Sequence, residues 1–406
     1  MNRISLLILL TLLLGCSKKD DSLTIKEIVD KGLQQSENQY KGMILNLQNY
    51  PNRFPNSIDY KNELTTKDAS DWTSGFFAGS LWLLYENSAD SFFLKEAQKY
   101  TLLTEHLQYK TNSHDIGFII YSAYGNGYRL THNNEYKNVI ISASKTMIKP
   151  FNPRVGGIRC SDFNHERSQC PILIDNIVTL EMLLFSAENT NDTTFLPIAI
   201  SQTDLTTKWL VRSNRSCYNV VSFDSITGVP HAWQAQQGYS PESVWARGQS
   251  WALYGYTMMY RLTKKPRYLK IAQEIANYLI SQPNMPKDCI PYWDFESPNI
   301  PNEMRDASSA AIMASALIEL STFVSLPIQK KYLDTAEKQI RTLTSDKYLS
   351  KVDTNGNFIL KHSVGNYPNN NQIDVPLLFA DYYYIEALIR LKKILNNEVV
   401  LTFLGV

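Results

Sequence analysis

"ARGQSWALYGYTMMY", residues 246–260, is built from apolar, small and aromatic residues over about four helical turns, with Arg247 its one charge. A surface helix keeps a polar face; one without such a face is buried on every side. The same composition returns in "SGFFAGSLWLLY" (74–85), "GFIIYSAYGNGY" (117–128), "ILIDNIVTLEMLLFSA" (172–187), "SSAAIMASALIEL" (308–320) and "VPLLFADYYYIEAL" (375–388). Apolar spacing at i, i+3, i+4 and i+7 predicts about twelve helices. They fall at 24–48, 71–86, 91–109, 115–130, 134–148, 174–188, 192–212, 243–263, 265–281, 305–322, 327–344 and 375–396. The buried type occupies every second segment, whereas segments such as "TIKEIVDKGLQQSENQYKG" (24–42) carry a polar face. Short turns join 71–86 to 91–109 and 243–263 to 265–281, and longer connections alternate with them. This alternation predicts an all-α (α/α)6 barrel, six helical hairpins arranged as an inner ring wrapped by an outer one. Strand-like alternation is confined to short pieces such as "YNVVSF" (218–223).

The bulk numbers exclude more than they assign. With 40 basic and 39 acidic residues in 406, the net charge of +1 leaves no electrostatic footprint for nucleic acid. No run of like charge suggests a membrane-surface tail. The 24 Tyr, 16 Phe and 7 Trp serve a core, and aromatic surface is also what sugar rings stack on. At the N-terminus, "MNRISLLILLTLLLGCSKKDDS" has Arg3, an apolar run too short to span a bilayer, and then Leu-Leu-Gly-Cys. That ending looks like a bacterial lipobox. It predicts a signal peptide over 1–15, a lipidated Cys16 with a tether to residue 23, and one catalytic domain over 24–406. The chain is then an exported lipoprotein, periplasmic or at the cell surface, touching membrane only through Cys16. Cys160 and Cys170 are close enough in sequence to form a disulfide in an oxidising compartment. No His/Cys cluster has metal-site spacing, so no metal is expected.

Unusual polar residues sit at the N-terminal ends of the buried helices: Asp71-Trp72, His114-Asp115, Asp175, Arg247, Arg305-Asp306 and Asp374. Parallel inner helices gather these ends at one mouth of the barrel. Asp is a preferred N-cap, so Asp115 and Asp175 have a purely structural reading as helix caps. Yet Asp175 lies inside the apolar run "CPILIDNIVTLEMLLF", where an unpartnered carboxylate is costly. Burial and a second carboxylate nearby both favour a carboxyl's protonated form, which can give up a proton and later take one back.

The blocks "DWTSGFFAGSLWLLYE", "HDIGF", "LIDNIVTLEMLLFSA", "QGYSPESVWARGQSWALYGY", "PYWDFESPNIPNEMRDASSAA" and "DVPLLFADYYYIEAL" resemble the unsaturated glucuronyl hydrolases, glycoside hydrolase family 88, in order and over nearly the whole mature chain. The resemblance implies an (α/α)6 barrel, no cofactor, and oligosaccharide substrates left by polysaccharide lyases, whose terminal uronic acid carries a C4=C5 double bond. It also implies hydration of a vinyl ether, with protonation at C4 and water adding at C5. Ordinary glycosidases instead set two carboxylates about an anomeric carbon. By this resemblance Asp175 is the general acid/base and Asp115 the second essential Asp. His114, Trp72, Phe76, Gln237, Arg247 and Trp251 contact substrate, with Arg247 the counter-ion of the uronate carboxylate.

Two departures concern substrate preference. Where family members often carry His before the "QGY" motif, this chain has Asn219, which is assigned here as a substrate contact. Where they often carry Trp after "GGIR", it has "CSDF", with Phe163 the nearest aromatic. His231 reads as a loop residue. Lys361 and His362, in "KHSVGNYPNNNQ" (361–372), are cationic candidates for a leaving sugar or sulfate. The expected substrates are fragments of glycosaminoglycans. Pectic or algal lyase products, or a non-catalytic glycan-binding lipoprotein, are the alternatives.

Overall fold

The computed structural model describes residues 23–160 and 168–400. Cys16, the segment before it, nearly all of the tether and Phe163 lie outside the described residues. Helices occur at every position that the periodicity predicts. They are α1 (Ile25–Leu47), α2 (Ser74–Ser88), α3 (Ser91–Leu102), α4, α5 (Asn134–Met147), α6 (Asn176–Asn189), α7 (Phe195–Trp209), α8 (Ala246–Thr263), α9 (Pro266–Ile280), α10 (Ala307–Ser321), α11 (Leu326–Leu343) and α12 (Leu378–Leu395). Helix α4 opens as a π-helix (Gly117–Gly125) and continues as α-helix (Asn126–Thr131).

Local chemistry explains the boundaries. Thr24 and Glu27 form a reciprocal capping box at the head of α1, satisfying helix N–H groups that lack intrahelical partners. Ala89, His132 and Lys264 end α2, α4 and α8 in the left-handed conformation, reversing the chain within a residue or two. Asp90 and Asn133 then cap the next helix through their side chains. These compact turns make tight antiparallel hairpins.

Helices α2, α4, α6, α8, α10 and α12 touch in sequence and close a ring through α12 and α2. Every residue of α10 is buried, as expected for a helix flanked on all sides. Outer helices α3, α5, α7, α9 and α11 each pack on the inner helix before them, while α1, from the opposite end of the chain, packs on α12. The architecture is an (α/α)6 barrel whose last hairpin is assembled from both chain ends.

All inner N-termini face one mouth, and the long connections cross it. These connections form small antiparallel sheets, far more strand than the sequence pattern announced. One sheet pairs β1 (Phe54–Ile58) with β2 (Leu64–Lys67), and another pairs β3 (Phe151–Asn152) with β4 (Gly157–Ile158). A three-stranded sheet joins β5 (Gln169–Leu173), β6 (Val220–Asp224) and β7 (Pro230–Gln234); the last pairs β8 (Ser363–Asn366) with β9 (Asn371–Val375). His231, read as a loop residue, is exposed on β7. Two-residue strands and irregular registers carry too little periodicity to be read from sequence.

At the opposite end a buried ion network ties four inner helices together. Arg261 pairs with Glu181 (2.8 Å) and Glu319 (2.7 Å), and Arg390 pairs with Glu319 (3.1 Å) and Glu386 (3.3 Å). The Cys160–Cys170 bridge that the sequence spacing allows is not formed: the described cysteines are all thiols, and Cys160 and Cys170 are each buried. Both lie in the connection where Cys160 N–H donates to Pro171 O, so backbone pairing already holds these neighbouring segments.

The inner ring is tight where α2 meets α4. A methyl group at Gly75 would lie 2.2 Å from the Ile119 carbonyl oxygen and 2.6 Å from that of Phe118. A π-helix is wound wider than an α-helix, and here its backbone comes to rest against a residue without a side chain. Gly75→Ala is therefore expected to lower stability by about 1–3 kcal/mol or more through overpacking, read by urea unfolding. Unchanged stability would show that the two helices separate freely.

Candidate active site

Asp115 and Asp175, sixty residues apart in sequence, converge on one imidazole ring at the mouth. His114 Nε2 lies 3.2 Å from Asp175 Oδ1 and 3.6 Å from Asp115 Oδ1. Neither carboxylate caps a helix. The residue flanking α4 is Ile116, and Asp175, which immediately precedes α6, makes no side-chain cap bond. Asp115 instead accepts from Ser113 Oγ at 2.5 Å while its own N–H donates back to that hydroxyl at 3.1 Å. The structural reading of these residues as caps is thus set aside, and both side chains remain partly exposed, at 27% and 15%.

His114 itself is buried, and its Nδ1 lies 2.7 Å from the Cys160 carbonyl oxygen. Burial alone would lower its pKa. The charges of Asp115 and Asp175 and the bond to the Cys160 carbonyl overcome that and raise it to about 9. The ring is therefore an imidazolium at neutral pH, a cation set between two anions. Its folded-state pKa exceeds the ordinary value of 6.5, so its stabilising effect is complete below about pH 6.5 and is lost as pH rises through about 9.

Trp72, just before α2, stands half-buried over an aromatic floor. Its ring centroid lies 5.9 Å from Phe76, 5.8 Å from Phe118 and 5.0 Å from Phe379. Trp251 extends the floor, 5.6 Å from Phe118 and 5.2 Å from Tyr383. Phe76 and Trp251 were expected as substrate contacts, but they are 0% and 1% exposed. They brace the floor beneath Trp72 and present no free face. Phe118, Phe379 and Tyr383 escaped the sequence reading. Phe118 had a signal, lying three residues after Asp115 at the start of a buried helix and so near the same mouth; Phe379 and Tyr383 looked like any core aromatics. A cavity of about 100 Å³ runs on from Phe118 towards the far end, lined by Tyr121, Glu181, Arg261 and Arg390.

Arg247 requires a larger correction. Expected to meet a ligand carboxylate, it is 1% exposed and already has a counter-ion, Asp306, at 3.1 Å. It also donates to the carbonyl of Val364 and, at 2.5 Å, to that of Gly365. Asp306 accepts the Val364 N–H in turn, at 3.3 Å. The pair staples β8 to the heads of α8 and α10, and the Arg247 charge acts on Asp175 through space.

Asn219 and Gln237 are neighbours: the Gln237 N–H donates to Asn219 Oδ1 at 3.0 Å. The Asn219 carbonyl accepts the Ile174 N–H, one residue from Asp175, and its buried Nδ2 has no protein partner among the described residues. Lys361 is turned to the Asp346 carbonyl (2.8 Å), and His362 pairs with Asp374 (2.6 Å), so each cationic candidate is engaged within the protein. Among the described residues no group of three or more His, Cys, Asp or Glu side chains could hold a metal ion, and no helix is long and apolar enough to cross a membrane.

An (α/α)6 barrel with paired carboxylates and an aromatic platform at its mouth defines a glycan-processing class of enzyme. Residues 47–394 match Glycosyl Hydrolase Family 88; the chain belongs to that family and is a glycoside hydrolase. It is 40% identical to the unsaturated glucuronyl hydrolase of Formosa agariphila, over 96% of this chain and 99% of the relative. It is 28% identical to the unsaturated chondroitin disaccharide hydrolase of Streptococcus pyogenes, over 92% and 94% of the two chains. Its fold superposes on the crystal structure of an unsaturated glucuronyl hydrolase specific for heparin, with TM-score 0.85, 38% identity, and 93% and 99% of the chains covered. The Bacillus sp. GL1 unsaturated glucuronyl hydrolase gives TM-score 0.81 at 25% identity, covering 91% and 97%.

Proposed function

We propose that this enzyme removes the 4,5-unsaturated uronic acid from the non-reducing end of lyase-generated oligosaccharides, glycosaminoglycan fragments foremost. The observation that carries the reading is the convergence of Asp115 and Asp175 on His114 beside the half-exposed Trp72. In the proposed reaction Asp175 protonates C4 of the vinyl ether, and positive charge develops at C5. Water adds there, losing a proton to Asp175, and the hemiketal collapses to release the remaining sugar. Asp115 sets charge and position across the ring. Trp72 packs against the unsaturated sugar, and the unpartnered Asn219 Nδ2 supplies a donor for one of its oxygens. Relatives named for heparin and for chondroitin support a glycosaminoglycan source, and identity is higher to the heparin-specific structure. We propose further that the chain is exported and anchored at Cys16, on the strength of its leader sequence.

The test is loss of the double bond's ultraviolet absorbance when protein is added to unsaturated disaccharides from heparin, chondroitin and hyaluronan, sulfated and unsulfated, with pectic and algal products alongside. Turnover of the glycosaminoglycan disaccharides is the expected result. Turnover restricted to the other products overturns the substrate class, and binding without absorbance loss overturns the reaction.

A further inference from the structure

The geometry around His114 leaves its ring one arrangement of hydrogens. Nδ1 faces the Cys160 carbonyl oxygen at 2.7 Å, an atom that can only accept, so Nδ1 carries a hydrogen in every protonation state that keeps this bond. The same carbonyl accepts the His114 backbone N–H at 2.9 Å, and the Cys160 N–H donates to Pro171 O at 3.0 Å. Ring and backbone are thus fixed to one frame that leads into β5, and Nε2 is left to face the carboxylates, Asp175 at 3.2 Å and Asp115 at 3.6 Å. The proton on Nε2 is the mobile one.

We propose that His114 is the positioning residue that stores the catalytic proton, passing it from Nε2 to Asp175 for delivery to C4 and receiving it back when water is deprotonated. The proposal rests on the hydration reading above. In the first half the Nε2–H bond breaks as an Asp175 O–H bond forms. That O–H bond breaks as the double-bond electrons form C4–H, and the ring-oxygen lone pair stabilises C5. In the second half a water oxygen bonds to C5, its proton goes to Asp175 and on to Nε2, and the starting charges are restored. The intermediate state has neutral His114 with its hydrogen on Nδ1, the tautomer that the Cys160 carbonyl dictates. The charged groups facing this relay are Asp115 beside the ring, Asp175 at the head of α6 and Arg247 on α8, which acts through Asp175. Together they hold the ring protonated across neutral pH, as a store requires.

The pH dependence of kcat and kcat/KM for double-bond loss tests this, comparing wild type with His114→Gln. Glutamine retains an N–H donor near Asp175 but cannot release or regain a proton. The expected result is an alkaline limb displaced by about two pH units towards acid in the variant, with a loss of about 10-fold at pH 8 that approaches about 100-fold above pH 9 and vanishes at pH 5. An unshifted limb, or the same loss at every pH, overturns the proposal and leaves His114 a packing residue. Should His114→Gln fail to fold, nitrogen NMR of the wild-type ring decides: both nitrogens protonated at pH 8 supports the store, and a neutral ring there overturns it. Wild type inert on every unsaturated substrate defeats the hydration reading instead, and the NMR result still stands on its own.

Discussion

Asp175→Asn is expected to reduce turnover of an unsaturated disaccharide by about 10²–10⁴-fold, or more, while the protein stays folded. The substitution preserves shape and removes the capacity to carry a transferable proton. Because the Asp175 side chain makes no cap bond to α6, no helix N–H is orphaned by the change. Its one described side-chain hydrogen-bond partner is His114 Nε2, and an amide oxygen at Oδ1 can still accept from it. Rates from absorbance loss, read beside thermal unfolding curves, separate the two effects. Wild-type rates in the variant would mean that the proton donor is another group.

Arg247→Ala is expected to act chiefly on stability, by about 3–5 kcal/mol in urea unfolding. The sequence alone pointed to lost binding; the structure redirects the expectation. Asp306 is fully buried, and truncating its partner leaves a carboxylate whose remaining hydrogen bonds among the described residues come from Ser308 and Val364. The carbonyls of Val364 and Gly365 lose their donors in the same step, which frees β8 at its root. A variant with unchanged stability and a greatly raised KM would restore Arg247 to direct contact with the ligand.

How much of this was legible depends on the length scale of the signal. The ring was readable because six segments bury their whole circumference and must be surrounded, a property repeated over some four turns at a time. The mouth was readable only in part. Asp175 announced itself as a charge inside an apolar run, and Asp115 as its counterpart at an equivalent helix end. His114, adjacent to Asp115, was expected to line the site, but that its ring would stand between both carboxylates depends on the Cys160 carbonyl, a backbone atom in a distant loop. The fate of Arg247 was hidden for a related reason: a lone arginine on a buried helix reads alike whether its anion is a ligand or an aspartate 59 positions away. The short sheets across the mouth owe their form to closure of the long connections, and strands of two to five residues leave almost no pattern of their own.

The sixth hairpin, made from α1 and α12, fixes an order of events during synthesis. Both carboxylates and the histidine between them have left the ribosome when residue 175 has, yet Phe379 and Tyr383 of the floor belong to the last helix made. Until α12 docks between α10 and α2, the nascent barrel has a missing stave and α1 lacks the inner helix it packs on most, touching only the neighbouring α2 of the inner ring. Catalytic competence therefore comes with the final few dozen residues, and a chain shortened from its C-terminal end by one helix loses the working pocket as a whole.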